Sequence, residues 1–240
     1  MAKDYVNTYL SDMGRELTAP TEDDGRLRAR VLRHHLRQVL PRIARGPAAD
    51  LGCGRGEAML ALRSLDFRPV VGCEIGAEQL RAGRGLGMEM SNEDAVSFVR
   101  RLPPQALVTA FDVIEHLEPA YAATLFGAVR ENLRPGAWFV LQCPNAASPF
   151  FGSVQYADPT HRTVFGPGIL STELRKAGFG EVRVFESSPV PHGPVSFARA
   201  LLWSGLRGAL RAVEAVETGN LGGGPYTRVL LAAARKPMVS

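Results

Sequence analysis

A glycine-rich stretch decides the fold, and it reads Gly46-Pro47-Ala48-Ala49-Asp50-Leu51-Gly52-Cys53-Gly54-Arg55-Gly56-Glu57. A short apolar run ends in Asp50, three alternating glycines follow, and a helix-forming run begins at Glu57. Because glycine has no Cβ, the backbone here can adopt positive φ and present its N–H groups to a ligand at a helix start. The stretch therefore predicts a strand, a turn and a helix that form a nucleotide-binding corner.

A second signal comes shortly after this corner. The apolar stretch from Pro69 to Cys73 ends in Glu74, as expected of a second parallel strand. A carboxylate at the end of that strand is placed to accept hydrogen bonds from both ribose hydroxyls of a nucleotide. The two signals together predict a cofactor with a ribose at the carboxyl edge of a parallel sheet.

The glycine spacing separates two classes of cofactor. Dinucleotide sites have the pattern Gly-x-Gly-x-x-Gly, whose helix start faces a pyrophosphate. In this chain Glu57 occupies the third glycine position. Its carboxylate and that of Asp50 would repel a pyrophosphate but would suit a ligand that carries sulfonium and ammonium groups.

The run from Asp50 to Gly56 resembles the first motif of the class I S-adenosylmethionine-dependent methyltransferases, an acidic residue followed by Gly-x-Gly-x-Gly. The resemblance spans about residues 45–185. It implies an α/β, Rossmann-like fold with a seven-stranded, mostly parallel sheet, helices on both faces and an antiparallel last strand. It also implies S-adenosylmethionine as cofactor, with Ile75 against the adenine face and Asp94 near the adenine amino group. The expected cofactor contacts are Asp50, Gly52, Cys53, Gly54, Gly56, Glu74, Ile75, Asp94 and Asp112.

Composition sets the outer limits of the architecture. The 240 residues are 45% apolar, which suits one α/β domain with additions. The sequence contains no apolar window of about 18 residues, and the N-terminal residues lack the basic start and apolar run of a secretion signal, so we expect a cytoplasmic protein. The three cysteines are far apart and odd in number, which predicts neither a disulfide framework nor a zinc site.

Alternating apolar and helix-forming segments divide the chain into an N-terminal arm and helix over residues 1–45 and a methyltransferase domain over 46–240. Residues 1–25 would form a mobile arm or lid. A substrate loop is expected over 144–166 and an added helix over 196–217. Strands are expected near 47–51, 69–74, 87–90, 106–111, 137–143, 181–186 and 227–234. Helices are expected near 26–40, 57–65, 76–83, 93–101, 119–132 and 168–177.

Charge gives weak information about partners. The net charge is +4, with arginines concentrated on the helix near 26–40, whose apolar stripe is expected to run from Leu27 to Leu40. A solvated helix face explains these arginines more simply than a phosphate-binding surface, so nucleic acid is not the expected partner. The helix over 196–217 is expected to pack over the sheet edge or the pocket. A weak membrane-surface contact through Arg199, Arg207 and Arg211 is the alternative.

Ionisable side chains follow the fourth predicted strand, at the sheet edge where open α/β folds bind ligands. The segment Phe111-Asp112-Val113-Ile114-Glu115-His116-Leu117 carries three of them. A helical turn after Asp112 would bring Asp112, Glu115 and His116 onto one side. His161 lies on the loop after the fifth strand and would sit beside them. Two carboxylates and two imidazoles can hold a divalent cation.

This set resembles the metal site of the ubiquinone-pathway O-methyltransferases and of the small-RNA 3′-terminal 2′-O-methyltransferases. Both have Glu-x-x-Glu-His followed by a later histidine; Glu115, His116 and His161 match, and Asp112 is one methylene shorter than the first glutamate. The resemblance implies Mg²⁺, which would lower the pKa of a substrate hydroxyl. In a metal-free reaction His116 or His161 would instead be the general base. Purely structural roles for these side chains are the third interpretation.

Several outer segments, including 196–217 and 229–236, are similar to bacterial methyltransferases that are encoded with glycan and natural-product glycosylation enzymes. This similarity implies methylation of a hydroxyl on a sugar or a glycosylated small molecule. A phenol or quinone precursor and the 2′-hydroxyl of RNA are the alternative acceptors. A non-catalytic, regulatory S-adenosylmethionine-binding protein is the alternative from another class. The oligomeric state is left open.

Overall fold

The computed structural model describes residues 20–238, so most of the predicted N-terminal arm lies outside the described residues. Seven strands form one sheet in the order β3-β2-β1-β4-β5-β7-β6. In chain order they are β1 (Ala48–Leu51), β2 (Val70–Cys73), β3 (Glu89–Ser91), β4 (Gln105–Phe111), β5 (Leu133–Pro144), β6 (Glu181–Glu186) and β7 (Val229–Arg235).

Eight α-helices in the described chain connect or flank these strands. They are α1 (Glu22–His35), α2 (Glu57–Ser64), α3 (Ala77–Gly83), α4 (Ala95–Arg101), α5 (Pro119–Asn132), α6 (Gly152–Gln155), α7 (Pro167–Lys176) and α8 (Pro194–Thr218). Short 3-10 turns occur at Leu40–Arg42, Arg84–Leu86 and Ile114–His116.

The strand pairing confirms the predicted Rossmann-like sheet. Strands β1 to β5 pair in parallel, and β7 lies antiparallel between β5 and β6. The strand order reverses between β1 and β4, and ligands bind open α/β sheets at such a point, outside the carboxyl ends of the strands. This edge carries the turn after β1, the end of β2 and the turn after β4.

Apolar side chains pack against both faces of the sheet. One cluster joins the sheet to α4, α5 and α7 and contains Phe98, Phe126 and Phe139. The other joins it to α1 and α2 and contains Leu32 and Met59. Because both faces are covered, the central strands are buried along nearly their whole length, as parallel sheets require.

The first described helix begins earlier than the sequence predicted. Thr21 caps it: the Thr21 hydroxyl accepts a bond from the Asp24 N–H (3.2 Å), and the Asp24 carboxylate accepts one from the Thr21 N–H (2.7 Å). This capping box starts the helix at Glu22, so the prediction of a helix over 26–40 was wrong at both ends. Residues 22–25, expected in the arm, belong to the helix.

The predicted apolar stripe is buried at Leu32, Leu36, Val39 and Leu40 but not at its first residue. Leu27 is 53% exposed, whereas Gly25 and Ala29 are buried. A Cβ at Gly25 would lie 2.5 Å from the Leu60 Cβ, so α1 and α2 approach closely at this glycine. Helix α1 thus shares a core with α2 and the sheet.

Several arginines of this region make intramolecular contacts. Arg42 forms two hydrogen bonds of 2.8 Å with the Glu181 carboxylate. The Arg28 guanidinium lies 4.5 Å from the centre of the Phe111 ring. These contacts join the α1 region to the sheet.

The two predicted additions have different structures. The loop over 144–166 contains the short helix α6, which the sequence analysis did not predict. Helix α8 is 25 residues long and buries only Ser196. Among residues 20–238, no helix combines the length and the apolarity that crossing a membrane requires.

Candidate functional site

All three glycines of the turn after β1 have left-handed backbone conformations. The φ angles are 63° at Gly52, 54° at Gly54 and 95° at Gly56. Other L-residues adopt this region at a cost of about 1–2 kcal/mol each, so the turn requires glycine for its backbone alone. The alternating spacing seen in the sequence is therefore the signature of this backbone path.

The surroundings of the three glycines differ. A Cβ at Gly52 would lie 2.5 Å from Val113 Cγ2, and one at Gly56 would lie 2.7 Å from Leu86 Cδ1. A Cβ at Gly54 would meet no heavy atom of the described chain within 4 Å. The outer glycines are thus enclosed by protein, whereas the middle one faces open space that a ligand can enter.

Glu74 lies against the same turn. Its carboxylate accepts hydrogen bonds from the N–H of Gly54 (2.9 Å) and from the N–H of Gly76 (2.7 Å). Burial raises the pKa of Glu74, and these N–H bonds partly oppose the rise. The carboxylate predicted to bind the ribose is therefore beside the open glycine.

Asp50 is buried at the end of β1, where the glycine turn begins. It is 1% exposed, and its carboxylate accepts a 2.6 Å hydrogen bond from the hydroxyl of Thr109, its register partner on β4. Burial raises the pKa of Asp50 to about 7, although the Thr109 bond acts in the opposite direction. Its bonds are to the sheet, and a direct cofactor contact stays a prediction.

The remaining residues of the turn pack within the protein. Cys53 is buried and its N–H donates to the carbonyl of Cys73 (2.8 Å), which joins the turn to β2. The carboxylate of Glu57 forms a salt bridge with the Arg55 guanidinium. Because this salt bridge neutralises Glu57, its carboxylate selects a cationic ligand less strongly than the sequence predicted.

The predicted adenine contacts lie beyond the ends of β2 and β3. Ile75 is 55% exposed, as a stacking surface must be. The Asp94 carboxylate caps α4 through the N–H groups of Val96 and Ser97 and accepts a 2.6 Å bond from the Tyr121 hydroxyl. Burial alone would raise its pKa, but these hydrogen bonds lower the pKa of Asp94 to about 2. The contact of Asp94 with adenine stays a prediction.

Asp112 departs from the predicted arrangement. Its φ is 58°, a left-handed conformation, and the 3-10 turn starts only at Ile114, so no helical turn begins at Asp112. Its carboxylate accepts bonds of 2.9 and 3.0 Å from the Gln142 side-chain amide on β5. The charge of Asp112 still acts on Glu115 and His116, and its part as a metal ligand or a cofactor contact stays a prediction.

Three of the four predicted metal ligands do come together. One ligand atom from each of Glu115, His116 and His161 lies within 4.8 Å of the others, and the two imidazole centres are 4.8 Å apart. The loop over 144–166, which carries His161, is held beside Glu115 because the N–H groups of Arg162 and Thr163 donate to the Glu115 carbonyl at 2.7 and 3.0 Å. The described group does not include Asp112.

The hydrogen bonds of the two imidazoles determine their tautomers. The Thr160 hydroxyl donates to the Asp158 carboxylate (2.6 Å), so it accepts from Nδ1–H of His116 (2.8 Å). Nδ1 of His161 lies 3.2 Å from the Gln155 carbonyl, which can only accept. Both rings thus carry the proton on Nδ1 and leave an Nε2 lone pair for a metal or for a proton.

Sequence reasoning missed Asp158 and Thr160 as positioning residues. The Asp158 carboxylate also accepts a 2.8 Å bond from the Thr160 N–H. The sequence Asp158-Pro159-Thr160 contains the signal for this turn, because Asp side chains bond to the backbone two residues further on.

Glu115 has an unusual environment for a carboxylate. It is 2% exposed, and its Oε2 atom has no hydrogen-bond partner among residues 20–238. Burial, followed by the charge of Asp112, raises the pKa of Glu115 well above its usual value. Burial and the neighbouring His161 lower the pKa of His116, which keeps that ring neutral. A buried carboxylate within 4.8 Å of two imidazole nitrogens fits a divalent cation.

The types of ligand atom in this cluster indicate which cation would fit. It consists of one carboxylate and two imidazoles, whereas Mg²⁺ prefers oxygen ligands and imidazole suits transition metals such as zinc and iron. The group of residues that lie within 4.8 Å of one another contains one of the two predicted carboxylates, that of Glu115. The observed set therefore favours a transition metal over the magnesium that the sequence resemblance implied.

Comparison with known proteins agrees with this geometry. A family model described as "Methyltransferase domain" matches residues 25–183, which is more than half of the chain. No curated protein sequence matches significantly. The family match begins within α1 and ends within β6.

Solved structures with the same fold share little sequence with this chain. A SAM-dependent methyltransferase from Archaeoglobus fulgidus is 20% identical with a TM-score of 0.65, covering 87% of this chain and 94% of that one. A possible histamine N-methyltransferase from Thermotoga maritima is 14% identical, TM-score 0.60, with 98% and 97% covered. Phosphoethanolamine N-methyltransferase 2 of Haemonchus contortus, in complex with S-adenosyl-L-methionine, is 16% identical, TM-score 0.58, with 85% and 52% covered. At these identities the likeness concerns the fold.

Proposed function

The chain belongs to the methyltransferase domain family, and from this premise we propose that it transfers the methyl group of S-adenosylmethionine to a hydroxyl of a sugar or a glycosylated small molecule. One observation carries the proposal. The open glycine turn with Glu74 and the pair of imidazoles with Nε2 lone pairs lie at the same carboxyl edge of the sheet. This edge thus offers a place for a methyl donor and a place for an acceptor.

The donor side takes S-adenosylmethionine through backbone and carboxylate groups. The main chain at Gly54 lets the ligand approach, Glu74 accepts bonds from the ribose hydroxyls, and Ile75 covers one face of the adenine. Structures of the same fold that hold S-adenosyl-L-methionine or S-adenosylhomocysteine support this choice of donor.

The acceptor side activates an oxygen. An Nε2 lone pair of His116 or His161 removes the hydroxyl proton as the oxygen forms its bond to the methyl carbon. The carbon–sulfur bond breaks at the same time, and the sulfonium becomes a neutral thioether. A general base of this kind contributes about 10²–10⁴-fold. The lowered pKa of His116 keeps its ring in the basic form at neutral pH.

A bound divalent cation would change the part that these histidines take. Glu115 Oε2 and the Nε2 atoms of both histidines would hold it. It would supply Lewis acidity that lowers the pKa of an acceptor hydroxyl. Because each Nε2 atom has one lone pair, a histidine that binds metal cannot also be the base. The metal-assisted and metal-free reactions are therefore exclusive for a given histidine.

A cavity of about 690 Å³ lies between the 144–166 loop and α8, and its lining, which does not include His116 or His161, has the mixed polarity that a glycosylated molecule would need. Phe150 and Trp203 provide apolar surface, and Arg199 and Arg228 provide positive charge. Sugar rings have both apolar faces and hydroxyl edges, so such a lining suits a glycosylated acceptor.

Methyl transfer from tritium-labelled S-adenosylmethionine tests the proposal. The acceptor panel contains glycosylated small molecules, free sugars, phenols, an RNA oligonucleotide and phosphoethanolamine, the last because one structural neighbour is named for it. We expect label in an alkali-stable ether on a sugar. Label on a phenol, on RNA or on an amine would assign the acceptor differently. Donor binding with no label in any acceptor would support a regulatory protein.

The same assay separates the two chemical routes. Enzyme treated with EDTA is compared with enzyme to which Mg²⁺, Mn²⁺ or Zn²⁺ has been restored. Loss of activity with EDTA and recovery with Mn²⁺ or Zn²⁺ would support a metal at Glu115, His116 and His161. Full activity in EDTA would leave a histidine as general base.

A further inference from the structure

Helix α8 exposes an apolar surface along its whole length. Its exposed apolar side chains range from 44% exposure at Leu206 to 89% at Val216. Patches this long are rare on proteins that have no partner there. The large members are Val195, Phe197, Leu201, Leu202, Leu206, Val213 and Val216.

One side of α8 is held to the domain. The Arg207 guanidinium pairs with the Glu186 carboxylate at the end of β6 (3.1 Å). The Glu214 carboxylate accepts a 2.5 Å bond from the hydroxyl of Tyr226. Trp203 is half-buried on the same side. These contacts fix which face of the helix points away from the protein.

The outward face carries no charge. At about 3.6 residues per turn, roughly half of the circumference opposite Trp203 and Arg207 holds only apolar or small residues. Arg199 and Arg211 lie at the two borders of this face. Glu217, the one exposed acidic residue of the helix, lies on the same border as Arg199, about five turns further along. The pattern is an uncharged half-cylinder with arginine on both sides.

Further positive charge lies next to the helix. Arg211 and Arg37 line a cavity of about 290 Å³ together with His34. Within residues 20–238 neither Arg37 nor Arg211 forms an ion pair. Cations of this kind are available to anionic groups that approach the borders of α8.

We propose that α8 lies in the surface of an anionic lipid bilayer, with its uncharged half among the acyl chains and Arg199 and Arg211 at the phosphate groups. A helix with one wide apolar face and basic borders binds such an interface. Two helices in contact bury a narrower seam than this half-cylinder. A second copy of the chain would also bring two arginine-bordered faces together. An anionic bilayer therefore matches both the width of the uncharged half of α8 and the positive charge of the arginines at its borders.

Docking of this kind has a consequence for the acceptor. The cavity lined by Phe150, Arg199 and Trp203 borders the helix, so it would open beside the lipid headgroups. An acceptor attached to a lipid could then enter it without leaving the membrane.

Vesicle flotation tests the proposal. The full-length protein is mixed with phosphatidylcholine vesicles that contain or lack phosphatidylglycerol. The L201E/L202E variant is compared with the control Ile169→Glu, which adds a charge at a 60% exposed apolar position on α7. We expect flotation with the anionic vesicles, weakened by salt, and about tenfold or more weaker binding for L201E/L202E with no change for the control.

Three results would overturn the proposal. The first is that the wild-type protein does not float with anionic vesicles. The second is that L201E/L202E floats as well as the wild type. The third is that sedimentation equilibrium finds a dimer that L201E/L202E alone dissociates, which would assign the face to a second copy. S-adenosylhomocysteine binding by L201E/L202E, unchanged from wild type, shows that the variant is folded.

Discussion

The two halves of the site are built by different means. The donor corner is made by backbone geometry: three left-handed glycines and the Gly54 N–H bonded to Glu74. The acceptor-side cluster is made by side chains from separate loops, which meet through bonds such as the one from His116 to Thr160. A turn that depends on backbone geometry is specified by one short stretch of sequence. A side-chain cluster depends on how distant loops pack.

This difference predicts separate effects of substitution. Changes in the donor corner should alter cofactor affinity and stability, and changes in the acceptor cluster should alter the rate.

The largest effect is expected at His116. His116→Ala should lower kcat by about 10²–10⁴-fold and leave the Kd of S-adenosylmethionine within about twofold, because the ring serves the acceptor and not the donor. Single-turnover methyl transfer and calorimetric titration measure the two quantities. His192→Ala, which removes an exposed histidine, is the control. A matching loss of cofactor affinity would show that His116 also serves the donor, so that the two halves of the site are not separate.

The unfolding free energy is expected to depend on pH through Asp50, which is buried at the donor corner. Because burial raises the pKa of Asp50 to about 7, the folded protein keeps a proton that the unfolded chain releases near its ordinary pKa of about 3.9. This contribution is complete at low pH and is lost as pH rises toward 7. It amounts to on the order of 4 kcal/mol of unfolding free energy.

Asp50→Asn isolates this contribution, because its amide oxygen can still accept the Thr109 hydroxyl bond. Urea unfolding of both proteins between about pH 4.5 and 8 should show a smaller fall in stability for the variant. Subtracting the two curves cancels Glu115, whose raised pKa has the same sign. Parallel curves would contradict the assignment.

The outer and middle glycines should respond differently. Gly52→Ala meets both left-handed φ and Val113, so we expect a loss of about 2–4 kcal/mol in unfolding free energy. Gly54→Ala has only the backbone cost, about 1–2 kcal/mol, but its methyl group enters the ligand space. Denaturant unfolding and cofactor titration should thus separate a folding defect from a binding defect. Equal stability losses would show that Gly54 is enclosed as well.

The sequence predicted the backbone of the glycine turn and the position of Glu74 beside it, and it predicted three of the four side chains that come together near Glu115. Glycine spacing and the strand-end Glu74 depend on local backbone geometry, which sequence patterns report directly. At Asp112 the sequence predicted a helical turn, whereas the chain takes φ of 58° and the carboxylate bonds to Gln142 on another strand. No local pattern predicts that long-range bond.

Other errors have similar causes. The start of α1 was missed although Thr21 and Asp24 form a recognisable capping box. The exposure of Leu27 could not be foreseen, because the buried side of α1 is set by the close approach of Gly25 to α2. Periodicity predicts that a helix has an apolar face but not which turn meets its neighbour.

Glu74 should govern cofactor affinity. Glu74→Ala removes an acceptor for ribose hydroxyls, and a hydrogen bond to a charged group is worth about 1.5–3 kcal/mol, so the Kd should rise by about 10–100-fold. At saturating cofactor, kcat should change little. Glu89→Ala, an exposed carboxylate on β3, is the control for titration calorimetry. A fall in kcat without weaker binding would place Glu74 on the acceptor side.

The smallest effect is expected at a glycine outside both halves. Gly127 lies in α5 with open space around a Cβ, so Gly127→Ala should raise the unfolding free energy by about 0.5–1 kcal/mol. Urea unfolding measures it, with cofactor affinity unchanged. Destabilisation here would show that glycine substitutions are harmful in general and would remove the contrast drawn for Gly52 and Gly54.

Calorimetric titration of the wild-type protein with S-adenosylmethionine and, separately, with NAD tests the central claim most directly. A turn that seats a sulfonium nucleoside beside Glu74 should bind one equivalent of S-adenosylmethionine and give no heat with NAD. Binding of NAD in competition with S-adenosylmethionine, or no binding of S-adenosylmethionine at all, would contradict this account of the glycine turn.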